Sequence, residues 1–91
     1  MPKALANYIG LVFFFWSNEF SGENLEPMHI HISRGKQEKN STKIWIKADG
    51  SLELVNNNSK LSNSELSSAM EYIKLNKNDI IAKWYSHFGD K

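Results

Sequence analysis

The stretch of residues 27–33 carries two of the three histidines of the chain, two positions apart. His29 and His31 alternate there with apolar residues, which is the period-two pattern of a half-buried β-strand. Because successive side chains of a strand point to opposite faces, the two imidazoles share the face opposite the apolar set. We therefore expect both histidine side chains to lie outside the core, where they are available for chemistry.

One chemistry that suits the pair is the metal-independent cleavage of RNA. Imidazoles titrate near neutrality, so His29 and His31 could act as general base and general acid. Residues 42–48 alternate in the same way, and pairing them with the histidine strand would put basic and aromatic side chains on the histidine face, with a basic loop overhanging it. Such a face is compatible with RNA binding. In this ribonuclease or RNA-binding alternative, the binding residues are Arg34, Lys43, Trp45 and Lys47.

A second chemistry that suits the pair is zinc binding. Two imidazoles that project in parallel from a strand can share one metal ion, and a third ligand must then come from elsewhere. The candidates for that third ligand are His87, Glu19, Glu23 and Glu26. We expect the helices to pack on the apolar side of the sheet, which would put His87 on the wrong side. We therefore keep zinc as an alternative, assign no metal ligand and expect no cofactor.

The elements that must position these residues are strands followed by helices. Residues 8–16, 27–33, 42–48 and 51–55 are predicted strands, with Asp49-Gly50 as a hairpin signal before the last. No structure is predicted for residues 1–7, and loops are predicted over 17–26 and 33–41. Ser62 and Glu65 form a capping box for a first helix, and Asn76 is the predicted N-cap of a second, which Gly89 ends. We expect an α+β fold, with an antiparallel sheet of three to four strands and both helices on one face.

The outer face of this sheet can also be interpreted as a binding surface for a protein partner or a second copy of the chain. Trp45 belongs to a residue type that is enriched at interface centres. Residues 8–16 are apolar almost throughout, which is typical of a strand buried on both faces. The face of this strand that points away from the helices would then need to be covered by a second layer or by a partner chain. A protein-interaction module is therefore the function that we favour from the sequence.

The composition sets bounds on all of these hypotheses. Ninety-one residues make one domain, which we place at 1–91. A net charge of +1 argues against a strongly basic nucleic-acid binder. The absence of cysteine excludes disulfides, thiolate catalysis and cysteine zinc sites, and it favours a cytoplasmic protein. The apolar run 11–16 is too short for a transmembrane helix, so we expect no membrane partner.

Nearly the whole chain resembles a small bacterial family known as domain-of-unknown-function family 4160. The shared features are the opening Met1-Pro2, Gly10 before an aromatic strand, and the Pro27-x-His29-x-His31 motif. They continue with Lys43-Ile44-Trp45-Ile46, the Asp49-Gly50 turn, and a closing helix that ends near Trp84 and Phe88.

The resemblance implies an α+β domain with no established activity. It also implies a gene neighbourhood similar to that of toxin–antitoxin pairs, and hence a small protein partner. One feature departs from the family pattern. Relatives carry an acidic residue in a shorter loop before the histidine strand, whereas here that loop is long and holds Glu19, Glu23 and Glu26.

Overall fold

The computed structural model of the chain describes residues 3–15 and 28–88. The predicted loop at 17–26, its three glutamates and the predicted helix end at Gly89 lie outside the described residues. Within those residues the elements are β1 (Lys3–Tyr8), β2 (Leu11–Phe14), β3 (His29–Arg34), β4 (Thr42–Ile46), β5 (Leu52–Asn56), α1 (Asn63–Leu75) and α2 (Lys77–Phe88). No helix in this part of the chain is both long and apolar enough to cross a membrane.

The strands form one antiparallel sheet in the order β1-β2-β3-β4-β5, so each strand pairs with its neighbours in sequence. The predicted α+β class is confirmed. The predicted number of strands was too low, because the described residues form five. The extra strand β1 consists of residues 3–7, for which no structure was predicted, and Tyr8. A turn at Ile9-Gly10 separates it from β2, so the predicted strand at 8–16 is interrupted near its start.

The turn between β1 and β2 carries an unusual backbone conformation. Tyr8 pairs with Leu11, which leaves a two-residue loop in which Ile9 has φ 47° and Gly10 has φ 77°. Two consecutive positive φ angles are those of a type I′ turn, whose twist matches that of the strands. Gly10 adopts this conformation without steric cost, but for a β-branched residue such as Ile9 it is an outlier. Since the Ile9 side chain is 50% exposed, its burial within this chain offsets little of that cost.

Both helices pack on the sheet face that carries the predicted apolar set. Phe13 of β2 contacts Tyr72 of α1 edge-on, with ring centroids 5.1 Å apart, and Phe13 pairs in register with Ile32 of β3. Each such side chain, when fully buried, stabilises the fold by roughly 1.5–3 kcal/mol. The buried cluster that the helices share with the strands is Ala4, Leu5, Leu11, Phe13, Phe15, Ile30, Ile32, Ile44, Ile46, Leu61, Ala69, Ile73, Ile80 and Trp84.

Within the described residues, the signals at the β4–β5 turn and at the start of α1 are confirmed, and the signal at the start of α2 is confirmed in part. Asp49-Gly50 lies in the β4–β5 hairpin, where Lys47 N donates to the Ser51 carbonyl at 2.9 Å. The Ser62 and Glu65 capping box is complete at the start of α1. Asn76 precedes α2 as predicted, but its side-chain amide donates to the Tyr72 carbonyl at 2.9 Å. Its side chain therefore closes α1. Asn76 still occupies the predicted N-cap position of α2, because its carbonyl accepts from Ile80 N at 3.1 Å.

We predict that Ile9→Asn raises the free energy of unfolding by about 1 kcal/mol, because asparagine tolerates a positive φ and isoleucine does not. Equilibrium urea denaturation measures the change. Gly10→Ala is the matched control at the next position. A Cβ at Gly10 would meet nothing within 4 Å, so its expected loss of about 1 kcal/mol comes from backbone conformation alone. An Ile9→Asn protein no more stable than the native one would contradict the strain argument.

Candidate functional site

The strand register brings the histidines together with two of the predicted binding residues. His29 pairs with Trp45 and His31 pairs with Lys43 across β3 and β4. On the other side of β3, His31 pairs with Phe14 of β2. Because residues opposite each other in an antiparallel pair share a face, these five side chains lie on one side of the sheet, which we call the histidine face. The predicted grouping of the histidines with Lys43 and Trp45 is thus confirmed.

The prediction that both histidine side chains lie outside the core is wrong. His29 is 2% exposed and His31 is 3% exposed, and Val12 and Phe14 of the neighbouring strand are buried as well. Alternation along a strand determines which residues share a face, but it does not determine whether that face meets solvent. β3 is the middle strand of the described sheet, and both of its faces are buried.

The histidine rings are packed as interior aromatic groups. His31 stacks on Phe14, with ring centroids 5.6 Å apart and the ring planes inclined by 24°. Its Nδ1 lies 3.2 Å from Ser41 Oγ. His29 meets His31 edge-on at 5.5 Å. Offset and edge-on contacts of this kind stabilise protein interiors.

The second helix reaches the same cluster through its tryptophan. Trp84 of α2 is buried, and its ring centroid lies 5.3 Å from that of His29 and 5.4 Å from that of Phe15. His29 therefore joins the histidine face to the helical layer at the end of the sheet. A general acid or base must reach the proton that it transfers, and these buried rings do not present themselves to a phosphodiester in this conformation.

Two other predicted binding residues are held by acidic partners. Lys47 follows β4 and forms an ion pair with Glu53 at 2.6 Å. The hydrogen bond to Glu53 and the charge of that carboxylate raise the pKa of Lys47. Lys47 is exposed, so its charge remains accessible beside that of Glu53.

Arg34 does not overhang the histidine face as predicted. It lies at an even position of β3, on the face opposite the histidines, and donates to the carbonyls of Ser59 at 2.8 Å and Lys60 at 3.2 Å. Its guanidinium also pairs with the carboxylate of Glu65, the residue that closes the capping box of α1. Arg34 thus ties β3 to the start of α1.

The described residues do not bring together a metal centre. Among them, no group of three or more His, Cys, Asp or Glu side chains is placed to hold a metal ion. His87 is exposed on α2, and the other proposed third ligands lie outside the described residues. The zinc alternative therefore stays a prediction.

An exposed apolar surface at one corner of the molecule was not predicted from the sequence. We define this corner patch by Tyr8, Ile9, Tyr72 and Leu75. Tyr8 and Tyr72 stack with ring centroids 4.5 Å apart, and Leu75 is 75% exposed at the end of α1. Beside it lies a cavity of about 520 Å³ whose lining is Tyr8, Ser67, Ser68, Glu71, Tyr72, Leu75 and Asn76. The patch joins residues more than sixty positions apart, so no local signal could have revealed it.

Comparison with known proteins identifies a family. A family model described as Domain of unknown function (DUF4160) matches residues 10–85. That span includes β2 to β5, the whole of α1 and most of α2. Neither the curated proteins nor the solved structures contain a match.

We predict that His29→Ala and His31→Ala each lower the free energy of unfolding by about 2–4 kcal/mol, since each removes a buried ring and leaves a cavity. Chemical denaturation followed by tryptophan fluorescence measures the loss. Lys39→Ala, in an exposed position, serves as the control and should change stability by no more than about 0.5 kcal/mol. Histidine variants as stable as this control would place the rings outside the core.

We also predict that Glu65 contributes stability that depends on pH. The Ser62 backbone N–H and the Arg34 guanidinium hold the pKa of Glu65 below its ordinary value of 4.5. A carboxyl group whose pKa is lowered by folding stabilises the folded protein at every pH above its ordinary pKa. This stabilisation is lost as the pH falls through the lowered pKa of the folded state. Glu65→Gln keeps a capping-box side chain but removes the charge.

The difference in unfolding free energy between the native chain and Glu65→Gln should therefore be largest above pH 4.5 and should shrink on acidification. Urea denaturation at a series of pH values measures it. A difference that is constant over that range would contradict the assigned role of the carboxylate.

Proposed function

This chain belongs to the family described as Domain of unknown function (DUF4160), and on that premise we propose that it is a protein-interaction module that binds a partner protein through the corner patch. The observation that carries the proposal is the exposed isoleucine at a positive φ. Ile9 is held in a strained turn with half of its side chain in solvent. Backbone strain tends to be retained at functional sites. Burial of the exposed Ile9 side chain in a partner would offset the cost of this strain.

The surroundings of Ile9 support a binding role. Tyr8 is exposed next to Ile9 in the chain, and Leu75 is exposed at the cavity that Tyr8 also lines. Tyr72 holds Tyr8 by stacking, and the Tyr72 hydroxyl donates to the Ala6 carbonyl at 3.0 Å. A tyrosine fixed in this way loses little conformational entropy on binding. Rigid aromatic and aliphatic groups of this type act as the anchors of protein interfaces.

The rim of the corner patch favours a protein over a nucleic acid. The cavity beside it is lined by Ser67, Ser68 and Asn76, which are uncharged hydrogen-bonding residues, and none of its lining residues is basic. Binding to a phosphate backbone requires lysine or arginine, whereas an apolar centre with a polar rim is typical of protein interfaces. The occupant that we propose is an apolar segment of a partner protein.

The partner that we propose is the small protein of a toxin–antitoxin-like pair in the cytoplasm. The family resemblance of the sequence supports this partner, because it implies a gene neighbourhood similar to that of toxin–antitoxin pairs. The ribonuclease alternative has less support, because it requires His29 and His31 to meet RNA and both are buried. The same purified protein can be tested for RNA cleavage, and cleavage lost on His31→Gln in a folded variant would favour the alternative.

We predict that Ile9→Asn weakens partner binding although it stabilises the fold. The probe is the purified product of the neighbouring gene, and isothermal titration calorimetry measures the dissociation constant. Removing a side chain that contributes about 1.4 kcal/mol or more to the binding free energy raises the dissociation constant at least about tenfold. Leu75→Ser should act in the same direction, and Lys39→Ala, in an exposed loop outside the patch, should bind like the native chain.

Ile9→Asn is expected to increase stability and to weaken binding. Weaker binding in a more stable protein could not be explained by a loss of folding, so it would assign Ile9 a role in binding. Absence of binding to the native chain would contradict the proposed partner. Binding that neither Ile9→Asn nor Leu75→Ser weakens would contradict the proposed surface.

A further inference from the structure

The two edges of the sheet differ in how their backbone groups are satisfied. On β1, the Ala4 carbonyl accepts a hydrogen bond from Lys83 Nζ at 3.3 Å and the Ala6 carbonyl accepts one from Tyr72 Oη at 3.0 Å. Side chains of both helices therefore cover that edge. On β5, the described part of the chain provides no such cover. An edge strand with unpaired N–H and C=O groups is a template for pairing with another strand.

The hydrogen-bond pattern identifies the open groups on β5. Lys47 N donates to the Ser51 carbonyl, and alternation along the ladder then makes Trp45 and Glu53 a hydrogen-bonded pair. The backbone N–H and C=O groups of Leu52 and Leu54 consequently point away from β4. The register shifts between the pairs Ile44–Leu54 and Lys43–Asn56, so Val55 has no partner residue on β4. The regular part of the β5 edge is therefore residues 52–54.

We propose that β5 pairs with β5 of a second copy of this chain, antiparallel about a two-fold axis at Glu53. In this register Leu52 faces Leu54 of the second copy, and Leu54 faces its Leu52. Each of these two pairs exchanges two backbone hydrogen bonds, so that all four open groups on each chain are satisfied. A two-fold axis centred on Leu54 would instead require pairing across the bulge at Val55 and would satisfy fewer of them.

The side chains on the helical side of this edge are complementary to themselves. Leu54 is 38% exposed, and it shares a face with Leu52 because Ile44 and Ile46 are their partners on β4. Next to Leu52 lies a cavity of about 450 Å³ whose lining is Gly50, Ser51, Leu52, Ser67, Met70, Glu71 and Lys74. In the proposed pair, Leu54 of each copy lies against Leu52 of the other, at the mouth of this cavity. A protruding residue and a cavity on one surface are what an isologous contact requires.

The charges at the axis balance when the occupant is a second copy. Two Glu53 side chains would face each other, which alone would be unfavourable. Lys47 accompanies each of them at 2.6 Å, so the two copies place two carboxylates and two ammonium groups together with no net charge. Tyr8 and Ile9 of the corner patch lie at the β1 edge of the sheet, at the opposite end of the strand order from β5, and the inference does not depend on the proposed function.

Single-cysteine variants test the register directly, since the chain has no native thiol. In the proposed pair the two Glu53 Cα atoms form a non-hydrogen-bonded pair at roughly 4.5 Å, within the range of a disulfide. We expect Glu53→Cys to oxidise to a covalent dimer at least about tenfold faster than Leu75→Cys, although Leu75 is the more exposed position. Leu54→Cys is the control on the same strand, since its Cα would lie beyond roughly 7 Å from that of its copy.

Sedimentation equilibrium of the unmodified chain gives an independent measurement. We expect a dimer, with Leu54→Lys monomeric and Ile9→Asn still dimeric. A native chain that is monomeric at concentrations of about 100 μM would overturn the proposal, and so would preferential cross-linking of Leu54→Cys. Circular dichroism of Leu54→Lys shows whether a monomer still folds, and the cross-linking rates decide the proposal if it does not.

Discussion

The burial of β3 on both of its faces is the constraint on which the rest of the structure depends. Ile30 and Ile32 fill one side, under the helices, and His29 and His31 fill the other. Polar groups in such a position must find partners, because burying them without hydrogen bonds is costly. Within the described residues no buried side-chain nitrogen or oxygen atom lacks one. The pair that looked most suited to catalysis is therefore part of the interior, and binding is proposed at the margins of the sheet.

Much of the fold could be predicted because its signals are local. The period-two alternation placed Lys43 and Trp45 beside the histidines, and the capping box and the Asp49-Gly50 turn lie within a few residues of one another. What alternation could not supply was exposure, since that depends on what lies over a face. The β1–β2 hairpin was missed for a related reason. Ile9-Gly10 lacks the Asn-Gly or Asp-Gly signature of a type I′ turn, and its conformation is imposed by the pairing of the flanking strands.

The candidate site shows the same division between local and distant information. Arg34 is one residue beyond Ser33, so parity along β3 alone puts it on the helical side, and treating it as part of a loop hid this. Its three acceptors lie at 59, 60 and 65, and only the tertiary structure brings them to β3. The corner patch likewise depends on the contact of Tyr8 with Tyr72. Sequence reasoning identified the members of one face and missed the surface formed between distant elements.

One edge of the sheet remains open. Within the described residues, α2 packs on β1 more closely than either helix packs on any other strand. Tyr72 and Lys83 donate to carbonyls of β1, whereas no helical side chain of the described residues binds the backbone of Leu52 or Leu54 on β5. Leu54 and Val55 are exposed there. In the proposed dimer, the identical edge of a second copy supplies partners for the backbone groups of Leu52 and Leu54 without any further element.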